Sequence, residues 1–111
     1  MSGVLHLVLL GWKPTTSESD RAEVVDGVRG LPDRIPGIRA LHEGPSVSPE
    51  GLEQGHDYAF AMMFESTAAR DAYLPHPAHL EVASRIQAAA DRVTVFDLDA
   101  GDESVVLGSA E

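Results

Sequence analysis

The stretch Tyr73-Leu74-Pro75-His76-Pro77-Ala78-His79 holds the side chains best placed to do chemistry. Proline is favoured at the first position of a helix, so Pro77 predicts a helix start with His76 as cap and His79 in the first turn. Both imidazoles then lie by exposed backbone N–H groups at the positive helix end, a setting that suits a neutral, basic ring. His79 shares a stripe with Ala83, Ile86 and Ala90, which aims it at whatever the helix packs on. A neutral inward histidine with a tyrosine just upstream makes a general base with a phenol partner. The same spacing also fits a plainer arrangement, in which His76 only caps and His79 makes a buried structural hydrogen bond.

His6 interrupts the apolar run Val4–Leu10, and a polar side chain there needs a partner or a purpose. If it faces the helices, His6 and His79 converge on one pocket that Tyr58 and Phe60 line. If it faces away, it hydrogen-bonds across a subunit interface; both readings stand. His42 and His56 read as surface residues, and Trp12 as a plug at a cavity mouth or a cover for an interface. The His76-x-x-His79 pair lacks a Glu or third histidine at zinc-protease spacing, and the chain has no cysteine. No metal site is therefore expected. Glycine-rich phosphate loops, a serine nucleophile elbow and recognisably paired carboxylates are also absent.

The positioning elements follow from periodicity. Val4–Trp12 reads as a strand with apolar groups on both faces. A helix capped by Ser17 or Ser19 follows, with Val24, Val28, Leu31 and Ile35 as its stripe; Pro32 bends or ends it and Pro36-Gly37 stops it. Ile38–Val47 is a weaker strand with Ile38, Ala40 and His42 on one face. Tyr58–Phe64 is a third strand, again apolar on both sides. A short helix from Ser66 or Thr67 to about Tyr73 precedes the Pro77 helix, which runs to about Asp91, and Val93–Leu98 closes the pattern. The order β-α-β-β-α-β, with a split second helix, predicts an α+β, ferredoxin-like domain: a four-stranded antiparallel sheet with helices on one face. Residues 1–99 form that domain and 100–111 an acidic tail, ordered only around Val105–Leu107 if at all.

Composition narrows the partners. One domain fits 111 residues, and a 43% apolar fraction suffices for a core. A formal charge of −10 argues against nucleic acid and anionic membranes as partners. The Val4–Leu10 run is short of the roughly 20 apolar residues a bilayer span needs, so it is a core strand. A cytoplasmic protein is expected. Because helices cover only one side of a sheet that is apolar on both, the bare side predicts a homodimer through the sheet face.

The segments "HLVLLGWKP", "PEGLEQGHDYAFAMMFES" and above all "AYLPHPAHLEVA" resemble the stress-responsive dimeric α/β-barrel (Dabb) family over about residues 4–99. The resemblance implies a β-barrel dimer of two ferredoxin-like subunits. Polyketide cyclases of the olivetolic acid type are similar members, in which a tyrosine and a histidine of this motif perform an intramolecular aldol condensation. Tyr73 and His79 match those positions, His6 matches a further pocket histidine, and His76 a motif histidine. Where such a cyclase has a pocket histidine in the third strand, this chain has Tyr58, and His56 lies two residues away.

The leading expectation is a small cofactor-free enzyme, a polyketide cyclase-like lyase acting on a hydrophobic or aromatic small molecule. His79, Tyr73 and His6 are its catalytic candidates, and Tyr58, Phe60 and His76 its substrate-binding ones. The rivals are a non-catalytic stress-associated or small-molecule-binding dimer, and a dimeric-barrel monooxygenase.

Overall fold

A computed structural model describes residues 3–101. Strand β1 is Gly3–Trp12, helix α1 Glu18–Arg34, β2 Ile38–Gly44, β3 Tyr58–Phe64, α2 Thr67–Tyr73, α3 Pro77–Ala89 and β4 Ala90–Gly101. The strands form one antiparallel sheet in the order β2-β3-β1-β4, and the three helices lie on one side of it. This is the expected ferredoxin-like fold. Ala100 and Gly101, expected in the acidic tail, end strand β4, and the rest of the tail, Val105–Leu107 included, lies outside the described residues.

Each helix starts where the sequence offers a cap. The Ser17 hydroxyl accepts from the Asp20 N–H, and the Ser66 hydroxyl from the Ala69 N–H. Such caps stabilise by about 1 kcal/mol each. Val24, Val28 and Leu31 are fully buried, as the stripe predicts. Pro32 does not end α1, which runs on to Arg34. Near a C-terminus a proline removes one hydrogen bond, and buried Leu31 and Ile35 hold the last turn against the sheet.

Register decides which side each strand residue serves. Val4, His6, Val8 and Leu10 of β1 sit opposite Phe64, Met62, Phe60 and Tyr58 of β3, and all eight are buried beneath the helices. Leu5, Leu7 and Leu9 with Ala59, Ala61 and Met63 make up the other side. A bulge between Ile38 and Ala40 separates two residues expected on one face. Ile38 pairs with Phe64 and packs on the core, whereas Ala40 and His42 face the bare side. Other expected boundaries shift: β2 stops at Gly44 rather than Val47, α3 at Ala89 rather than about Asp91, and β4 starts directly after it and passes Leu98.

Candidate functional site

The helical layer stops short of β4. Val93 and Val95 pair with Leu10 and Val8 and so face the helix side, yet they are 48% and 57% exposed. The gap between β4 and helices α2 and α3 is a cleft of about 280 Å³. His6, Phe60, Tyr73 and His79 lie on its wall, with Val8, Val82, Ile86 and the two β4 valines supplying apolar surface. Its volume is just below the range of about 300–1,000 Å³ usual for small-molecule sites.

Tyr73 ends α2 and its ring packs against both histidines. Its centroid is 4.3 Å from that of His79 and 5.7 Å from that of His6. Burial pushes its phenol far above the ordinary value, and the Asp97 charge adds to this. Tyr73 is therefore a hydroxyl donor throughout the neutral range. That hydroxyl has no hydrogen-bond partner among the described residues.

Hydrogen-bond partners fix the ring protons. His79 Nδ1 is 2.8 Å from the Leu74 carbonyl oxygen. A carbonyl only accepts, so in the neutral ring Nδ1 carries the proton and Nε2 keeps the lone pair. His6 Nδ1 is 2.6 Å from Asp97 Oδ1. Burial raises the Asp97 carboxyl, but the hydrogen bonds from His6 and Arg70 outweigh it and hold the group below its ordinary range. Asp97 is thus an ionised acceptor, and His6 too carries its proton on Nδ1. Arg70 Nη1 donates to the other oxygen, Asp97 Oδ2, at 2.6 Å. Both histidines of the cleft are left with Nε2 as the basic atom.

His76 has the opposite tautomer. Its Nδ1 accepts from the Ala78 N–H at 3.0 Å, the cap expected from Pro77, so its lone pair is occupied. It is not among the residues lining the cleft. His56 is engaged at both nitrogens, by the Glu53 carbonyl and the Thr94 hydroxyl.

Of the expected binding residues, Phe60 lines the cleft and Tyr58 does not. On the shared face Tyr58 is four residues from Met62, the residue opposite His6. At about 3.3 Å per residue that is roughly 13 Å away. Its ring stacks on Trp12 and its hydroxyl donates to Glu43 Oε1 at 2.9 Å. Trp12 therefore closes the end of the core over Tyr58. Among the described residues no three metal-binding side chains converge.

Sequence reasoning singled out neither Asp97 nor Arg70. Asp97 pairs with His6 only through the β1–β4 register, and Arg70 reaches it from α2 across 27 positions. The one local signal was a carboxylate on the inward phase of Val93 and Val95.

Residues 4–100 match the sequence profile of the Stress responsive A/B Barrel Domain, Dabb. The chain belongs to this family. The stress-response A/B barrel domain-containing protein HS1 of Arabidopsis thaliana is 36% identical over 94 residues, covering 85% of this chain and 86% of HS1. Olivetolic acid cyclase of Cannabis sativa is 26% identical over 94 residues, 85% of this chain and 93% of the cyclase. A dimeric ferredoxin-like protein of unknown function from Jannaschia sp. CCS1 is 28% identical, with a TM-score of 0.78 over 86% of this chain and 97% of that one. The hydroxynitrile lyase of Passiflora edulis shares the fold at 20% identity, with a TM-score of 0.83 over 91% and 95% of the two chains.

Proposed function

We propose that this Dabb chain is a cofactor-free enzyme that closes a ring in a small β-polyketone by aldol addition, within the cleft between β4 and the helices. The observation that carries the reading is the joint presence on one largely apolar wall of the His79 Nε2 and the Tyr73 hydroxyl, neither with a hydrogen-bond partner among the described residues. His79 Nε2 takes a proton from a carbon flanked by two carbonyls, leaving an enolate. The enolate carbon attacks a second carbonyl of the same molecule, forming the carbon–carbon bond while the electron pair moves to oxygen. Tyr73 donates a hydrogen bond to that oxygen as charge develops, and the His79 imidazolium returns the proton. His6, held by Asp97, orients the tyrosine through their edge-on ring contact. The likeness to olivetolic acid cyclase supports the reaction class.

A non-catalytic small-molecule-binding role is the second reading, favoured by a cleft of only about 280 Å³. Incubation with a linear tetra-β-ketide, read by mass spectrometry and NMR, separates the two. The proposal expects ring-closed product above the buffer rate, lost in His79→Ala and strongly reduced in Tyr73→Phe. Binding without turnover supports the second reading, and parent-rate turnover by both variants removes these residues from the mechanism.

A homodimer through the bare sheet face belongs to the same proposal. Phe96 and Leu98 of β4 are 60% and 41% exposed there, beside Leu5, Leu7 and Leu9. Burying such a surface against a second copy is the usual way to remove it from water.

A further inference from the structure

We propose that Arg70 is a positioning residue that keeps His6 neutral by taking half of the Asp97 carboxylate, an inference that rests on the reading of the cleft as a base-catalytic site. The carboxylate is divided: Oδ1 receives His6 Nδ1 and Oδ2 receives Arg70 Nη1, both at 2.6 Å. A carboxylate bonded to an imidazole alone favours the imidazolium, because the opposite charge stabilises the added proton. A guanidinium on the second oxygen weakens that pull, and its own positive charge, shared with the more exposed Asp71, opposes a second one on the ring.

The surroundings leave this task to Arg70. The groups facing the pair are Tyr73 on α2 and His79 on α3, with Asp99 two residues along β4 on the same side. Tyr73 is uncharged, because burial raises its phenol. Arg70 is the cation that contacts the carboxylate, and its side chain is only 23% exposed. Arg70 also bonds Asp71 through Nε at 2.9 Å, which holds the guanidinium in place along α2. A histidine that became imidazolium would lose its Nε2 lone pair and would add a charge to a largely apolar wall.

The test is imidazole ¹⁵N NMR on the full chain at pH 7, comparing the parent with Arg70→Met and Arg70→Lys, the His6 signal being assigned by its loss in His6→Gln. The expected result is a neutral Nδ1–H ring in the parent and a several-fold rise in the imidazolium fraction of His6 in Arg70→Met. Arg70→Lys restores the parent spectrum, and Asp97→Asn placed on Arg70→Met returns the ring to neutral. If Arg70→Met fails to fold, Arg70→Gln removes the charge while keeping a hydrogen-bond donor and is read the same way. An unchanged His6 spectrum in a folded charge-removed variant overturns the proposal. The readout needs no substrate, so it fails or holds independently of whether the cleft turns over a polyketone.

Discussion

At the scale of single residues, proton placement divides the motif histidines into two kinds. His79 donates from Nδ1 and keeps Nε2 basic, whereas His76 spends its lone pair on the Ala78 N–H. The motif alone shows two similar imidazoles three residues apart; only their partners tell them apart. His79→Ala is expected to lower turnover by about 10²–10⁴-fold, the usual worth of a general base. His76→Asn, which keeps a capping oxygen, is expected to leave both rate and stability near the parent. His76→Ala is expected to cost about 1 kcal/mol in urea unfolding with the rate unchanged. A rate loss in His76→Asn equal to that of His79→Ala would contradict the division. Asp97 gives a pH prediction with a definite sign. Its carboxyl is held below the ordinary range in the folded chain, so its contribution is complete above about pH 4 and fades as pH falls through the folded value. Urea unfolding from pH 2 to 7 should show an acid loss that is shallower in Asp97→Asn.

At the scale of elements, the capped helices and two-faced strands were legible because their signals are local. The inward stripe of α1, the cap at His76 and the split second helix all follow from neighbours within four positions. What stayed hidden depends on pairing. The bulge after Ile38 turns Ile38 toward the core, and the β1–β4 register delivers Asp97 to His6. Tyr58 was expected in the pocket because it alternates with Phe60, but alternation fixes a face and not a distance along it. The loop between β2 and β3 is anchored where Asp57 N–H donates to the Leu10 carbonyl, and Gly55 lies against Gly11. A Cβ at Gly11 would run into the Gly55 carbonyl. Gly11→Ala is therefore expected to destabilise by about 1–3 kcal/mol, the range for overpacking, by urea unfolding. A change within about 0.3 kcal/mol would show that the loop yields freely there.

For the whole molecule, one sheet serves two surfaces. Its helix side forms the core and, at β4, the floor of the cleft; its other side keeps Phe96 and Leu98 in water in the single chain. Both uses were readable from strands apolar on both faces, whereas the cleft was not, since it depends on how far the helices extend toward β4. Light scattering after size exclusion is expected to give a dimer for the parent and a single chain for Phe96→Glu. Added salt is expected to favour the dimer, because each copy carries a formal −10 and screening weakens their repulsion. The reading of the cleft as a base is tested most directly without its natural substrate. Deuterium uptake by the central carbon of a simple β-diketone in D₂O, followed by ¹H NMR, reports proton removal alone. Exchange well above the buffer rate with the parent, falling at least 100-fold in His79→Ala, is the predicted result. Exchange no faster than buffer, or equally fast in His79→Ala, would contradict it.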